Sequence, residues 1–272
     1  MSTRGICKLC TLEKDLQDSH FIGRAVYRKL MEPSLRNPQP IIVTANTMKQ
    51  SPIQIRDYVF CFDCEQIFNS GGEAWMHGHI ATTAGFRLLD LFTGQPPIFN
   101  EPDLILYDAA KIPSVDCSAI LEYGMGVFLK AAVHTWRFED GTTSHIDLGP
   151  ERTEVLRKFI HREGSFPHDM VLTVCLSSRA KQFWGVIPPL RMQPQGTEEE
   201  RYYFHVSGVY YCLLVGSSID PKMKMLAFNN SRPVRPVLVG EEWGDQAFDI
   251  MRKLARSVPA SPKLKRGLKP KL

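Results

Sequence analysis

The stretch Tyr58-Val59-Phe60-Cys61-Phe62-Asp63-Cys64-Glu65 decides how this chain is read, together with its counterpart Cys7-Lys8-Leu9-Cys10 near the start. Two thiols two residues apart fit one tight turn that aims both sulfurs at a single metal. Two such pairs offer four soft ligands, a set that suits tetrahedral Zn²⁺. A cage of this kind contributes folding free energy directly to a segment without a large core of its own. The expected zinc ligands are therefore Cys7, Cys10, Cys61 and Cys64. Residues 11–60 lie between the pairs, an interval too long for a simple ribbon or finger and suited to a strand-rich insertion between two knuckles.

Disulfides are the competing reading of the same cysteines. Seven cysteines is an odd number for a secreted framework, the chain opens on a polar stretch without a signal peptide, and no long apolar run occurs. A reducing, cytoplasmic setting without membrane association is the expectation. Cys117, Cys175 and Cys212, each isolated in apolar or strand-like surroundings, read as buried free thiols.

With 272 residues, 43% of them hydrophobic and 23% charged, the chain can build one large or two modest globular domains. A net charge of +4 does not announce a nucleic-acid binder, but the excess is uneven. Residues 263–271 read KLKRGLKPK, five bases without an acid. Nearby prolines and Gly267 argue against a helix, so residues 257–272 are expected to be a disordered basic tail that solubilises the chain or adds salt-sensitive affinity for phosphate backbones.

Periodicity organises the rest. Strands are expected at residues 41–44, 53–55 and 58–60, with a turn-rich piece from Asn46 to Pro52. A helical turn over 64–68 is broken by Asn69-Ser70-Gly71-Gly72 and resumes as a helix over 73–91. Residues 104–106 are a strand candidate. The strongest helix runs over 118–137, where Leu121, Met125, Phe128, Ala132 and Trp136 line one apolar face. A second helix opens at Gly149-Pro150-Glu151. Strands follow at 170–176, 182–187, 202–206, 209–215 and 223–228, broken by Pro188-Pro189, Gly208, Gly216 and Pro221, with a terminal helix over 243–256. The expected organisation is an α+β protein. A zinc module over residues 1–80 precedes a helix-plus-antiparallel-sheet domain over 81–256 and then the tail.

Between the knuckles His20 stands in Leu16-Gln17-Asp18-Ser19-His20-Phe21-Ile22, and Glu65 directly follows Cys64, with Glu73 downstream. In these segments the chain resembles the HNH endonuclease superfamily, and in particular bacterial zinc-bearing members with a Ser-His segment and a Cys-x-x-Cys-Glu segment. The resemblance covers residues 7 to about 75. It implies a treble-clef, ββα-metal-like module in which zinc is structural and Mg²⁺ or Mn²⁺ serves catalysis. It implies His20 as the base that activates water, Glu65 in the place of the final metal-binding histidine, and DNA as the substrate. Glu65 and Glu73 are then the candidate ligands of the catalytic cation. Two positions differ from the family pattern. Ser19 stands where an acidic ligand commonly precedes the histidine, with Asp18 one residue further back on the opposite side of the strand. The usual asparagine before the second knuckle is absent, and Gln54, Arg56 and Asp57 are the nearest polar residues. The alternative is a non-catalytic zinc module that binds nucleic acid or protein, with residues 81–256 recognising a partner. His77 and His79, two apart on a helix, turn away from each other and are not expected to share a metal.

Overall fold

The computed structural model describes residues 3–30, 41–43, 48–50, 54–80, 87–102, 104–138, 141–178, 185–192, 199–229 and 233–240. Two strands, β1 (Thr3–Ile6) and β2 (Glu13–His20), form an antiparallel hairpin whose loop carries the first knuckle. Thr11 takes a left-handed φ of 61° in that loop, and its N–H donates to Cys7 O at 2.9 Å. After α1 (Arg24–Leu30), the insertion supplies β3 (Ile41–Val43) and β4 (Met48–Gln50), the latter within the piece expected to be turn-rich. The chain then returns as β5 (Arg56–Cys61), which pairs antiparallel with β2. A register shift between Leu16 and Asp18 lets Leu16 and Ser19, three residues apart, both be buried, as a bulge permits.

The strand β5 ends on Cys61, and α2 (Phe62–Phe68) begins on the next residue. Cys64 therefore sits in the first helical turn. The expected glycine break is a π turn over Asn69–Glu73 that leads into α3 (Ala74–His79). The helix expected over 73–91 is two pieces, because Ile80 is extended and α4 starts at Arg87 (Arg87–Phe92). Next come β6 (Phe99–Glu101) and β7 (Leu104–Asp108), then α5 (Cys117–Val133), whose first turn is capped by the Asp116 carboxylate accepting from Ala119 N–H at 2.9 Å.

In place of one apolar stripe, α5 is buried almost all round from Ala119 to Ala131. It ends before 137, since Trp136 Nε1–H turns back to donate to Lys130 O at 2.7 Å and the chain enters β8 (Trp136–Arg137), paired with β9 (Thr143–Ser144). The helix α6 (Pro150–Ile160) starts on its proline as expected and packs on α5.

Five more strands complete a nine-stranded sheet: β10 (Met170–Ser177), β11 (Gly185–Met192), β12 (Glu200–Val206), β13 (Val209–Val215) and β14 (Pro236–Gly240), in the order β4-β3-β11-β12-β13-β10-β14-β7-β6. The sheet is mixed and not purely antiparallel, because β10 pairs parallel with β14 and β11 parallel with β3. Pro188-Pro189 do not end the strand. They lie at a register shift between Ile187 and Leu190, where their missing N–H groups cost no ladder bond. The strand expected over 223–228 is instead α7 (Pro221–Met225), started by Asp220 accepting from Lys222 N–H at 2.8 Å and by proline at the first position. Because β3 and β4 extend the large sheet, residues before and after position 80 share it. One continuous core runs from Cys7 and Phe60 through Phe128 to Leu172 and Tyr211. The terminal helix expected over 243–256 and the basic tail lie outside the described residues.

Candidate metal centre and a strand-end histidine

The hairpin loop and the β5–α2 junction bring Cys7, Cys10, Cys61 and Cys64 together, with all four sulfurs within 4.8 Å of one another. Four thiolates about 2.3 Å from a tetrahedral zinc would stand roughly 3.8 Å apart. Cys10 Sγ and Cys61 Sγ are 3.9 Å apart, close to that spacing. The cysteines are free thiols, and Cys7, Cys61 and Cys64 are buried. The Cys64 thiol donates to Cys7 and pushes it down to about 4, against burial and with help from the Cys61 N–H, which lies 3.3 Å from Cys7 Sγ. Cys64, which keeps the proton, is raised well above the usual thiol range, and burial raises Cys61. The cluster thus favours a thiolate at Cys7, and a metal ion such as zinc can be held once the thiols release their protons.

His20 ends β2, and its Nε2 is 2.7 Å from Gln54 Oε1. With Nε2–H donating to that oxygen, Nδ1 keeps the lone pair. That is the tautomer a proton acceptor needs. Sequence reasoning named Gln54 among the nearest polar residues without recognising it as the partner of His20. Residues paired across the ladder share a face, so His20 with Arg56, and Asp18 with Tyr58, lie on one side, and Ser19 with Asp57 on the other. Asp18 does lie on the opposite side from Ser19. Its carboxylate accepts from Arg56 Nη1–H.

The strand end is held from below by Lys130, which is 1% exposed on α5 and was missed in the sequence. Its Nζ donates to His20 O at 3.2 Å and to Glu73 Oε1 at 2.6 Å, and stands 4.6 Å from the centre of the Phe68 ring. A lysine inside the run Phe128-Leu129-Lys130-Ala131-Ala132 was the available signal, since a charge at a core position demands a partner. Burial works to raise the Glu73 carboxyl, but Lys130, with His77 and His20, lowers it overall, so Glu73 is a carboxylate. Of the two candidate cation ligands, Glu73 already faces an ammonium. Glu65, in the first turn of α2, has a buried Oε1 with no hydrogen-bond partner among the described residues. His77 and His79 do part: His79 Nδ1 lies 2.8 Å from Trp75 O with its ring stacked on Trp75, whereas His77 faces Tyr123.

No helix among the described residues is long and apolar enough to cross a membrane. Comparison of the chain with family models, curated proteins and solved structures gives no match.

Proposed function

We propose that the chain is a metal-dependent endonuclease of the HNH type that hydrolyses DNA phosphodiester bonds, with a treble-clef zinc module as its scaffold. The observation that carries this reading is His20 at the end of β2, on the hairpin whose loop carries the first knuckle, with Nε2 engaged by Gln54 and Nδ1 left to accept a proton. In this reading His20 takes the proton of a water whose oxygen attacks phosphorus, and the 3′ oxygen leaves as the new P–O bond forms. Mg²⁺ or Mn²⁺, when bound, would stabilise charge on the phosphoryl and leaving oxygens. Glu65 is the favoured ligand for that ion, because a buried carboxylate oxygen without a donor suits a hard cation. Glu73 is the weaker candidate, since Lys130 already compensates its charge. Zinc in the cage has a structural role, and the likeness to the superfamily rests on the knuckles, the Ser-His segment and the glutamate after Cys64.

The second reading, a non-catalytic zinc module that binds nucleic acid or protein, is favoured by one observation: the Lys130 contacts to Glu73 and His20 O serve folding without any substrate. Metal analysis and cleavage assays separate the two. Purified protein should carry about one zinc per chain, and Cys61→Ser or Cys64→Ser should lose it and lower the melting temperature; full zinc with unchanged melting would remove the cage. His20→Ala should abolish Mg²⁺- or Mn²⁺-dependent DNA cleavage with zinc content and melting unchanged, and Glu65→Gln should raise the divalent-ion requirement. A wild type inactive across metals and DNA substrates leaves the binding module as the function, and a His20→Ala variant that cuts normally removes His20 as the base.

A further inference from the structure

On the other face of the β2–β5 ladder from His20 lies a cavity of about 420 Å³, within the usual range for a small-ligand site. Three regions of the sequence meet there: Lys8 from the first knuckle, Asp57 from β5, and the stretch after α5, which supplies His134, Arg137 and His145. Thr143, directly opposite Arg137, lies two residues before His145 on an alternating strand end. Buried Ser144 between them points inward, which turns Arg137 and His145 to the same outer side.

The charges in this cavity do not cancel. Asp57 is the one acid among the described residues of the lining, and both its oxygens are engaged: Oδ2 is 2.9 Å from His134 Nε2, and Oδ1 accepts from Tyr58 N–H at 2.8 Å. Among the described residues the side chains of Lys8, Arg137 and His145 have no hydrogen bond or ion pair. The negative end of α5 would oppose an anion here, but two of its last carbonyls are occupied, Lys130 O by Trp136 Nε1–H at 2.7 Å and Ala131 O by Ile146 N–H at 3.2 Å. What remains is an ammonium, a guanidinium and an imidazole facing a concave space, with a hydrogen-bonded carboxylate in its wall.

We propose that this cavity binds a phosphate group. The guanidinium of Arg137 offers a planar fork for two phosphate oxygens, Lys8 adds a point charge, and His145 a further donor. Asp57 fixes the His134 ring as the side of the pocket. The site does not depend on cleavage at His20, which faces the other way. Its phosphate belongs either to a nucleic-acid backbone or to a small phosphate-bearing molecule.

Histidine ¹H–¹³C spectra of the full-length protein test this at constant ionic strength, with inorganic phosphate as one probe and a single-stranded thymidine dodecamer as the other. The resonances of His134 and His145, assigned through His134→Gln and His145→Gln, should shift saturably with phosphate. Arg137→Gln and His145→Gln should each weaken binding at least tenfold with zinc content and melting unchanged, while Lys222→Gln on α7 should leave it at the wild-type value. A dodecamer that shifts the same resonances and competes with phosphate identifies the nucleic-acid backbone as the source; phosphate binding that the dodecamer does not displace identifies a small molecule. No saturable shift with either probe, or wild-type affinity in both Arg137→Gln and His145→Gln, overturns the proposal.

Discussion

Removing the ammonium of Lys130 would strand a carboxylate, because Glu73, only 15% exposed, has Lys130 as its principal counter-charge. Breaking one partner of a buried pair costs about 3–5 kcal/mol, whereas replacing both by groups of similar shape is often close to neutral. Lys130→Met is therefore expected to destabilise the fold by about that amount. The double variant Lys130→Met/Glu73→Gln should recover a large part of it, as read from urea midpoints at constant m. Additive losses would show that the two side chains act separately. At this scale the sequence named the four cysteines and His20 by their spacing and context. It did not reveal Lys130 as the clamp, because a side chain from α5 reaches the end of β2 only once the helix lies under the hairpin, and nothing local in either segment encodes that approach.

The junction of α2 and α3 shows how an element's shape depends on its neighbour. Gly71-Gly72 read as a break, and Gly72 does adopt φ 154°, a conformation that side chains rarely take. The reason lies outside the element. A Cβ at Gly72 would stand 2.5 Å from Ala119 O and 2.8 Å from Tyr123 N, so the π turn presses its backbone directly onto α5. Backbone atoms cannot swing aside as a side chain can. Gly72→Ala should accordingly cost more than the 0.5–1 kcal/mol typical of a glycine that is merely permissive, on the order of 3 kcal/mol when overpacking and strain add. Gly78→Ala, with nothing within 4 Å of the new Cβ, is the control that should leave the melting temperature unchanged or raise it slightly. Equal melting of the two variants would remove the contact argument. Elements with strong local punctuation, such as α6 with its proline start, were legible. The helix over 73–91 and the strand over 223–228 were misread for opposite reasons. Apolar spacing continued past a real break at Ile80 in the first, and an Asp-Pro start outweighed β-rich composition in the second.

At the scale of the molecule, stability should depend on pH through His205 on β12. It is 1% exposed, its Nε2 accepts from Gly208 N–H at 2.8 Å, and burial pushes it down to about 3. The unfolded chain takes up this proton below pH 6.5 while the folded chain refuses it until near pH 3. His205 thus favours the folded state fully above pH 6.5, and the advantage is lost as pH falls between those values. The loss approaches about 1.4 kcal/mol per pH unit at its steepest. Because β12 lies inside the nine-stranded sheet that shares one core with the cysteine cage, the effect should appear in global unfolding. Denaturant titrations from pH 7.5 to 4.5 should show a fall that His205→Gln reduces, and identical pH slopes for the two proteins would assign it to other groups.

The sequence by itself determined the cysteine cage, the α+β class and most of the strands and helices after residue 100, because thiol spacing and apolar periodicity are local properties that any fold of the chain must respect. Only the tertiary structure decided that β3 and β4 of the insertion join the large sheet, that two of its pairings are parallel, and that Lys130 reaches His20 and Glu73. Those features depend on contacts between residues more than fifty positions apart. Such contacts are chosen by the fit of whole faces within one core, and no window of neighbouring residues contains that information.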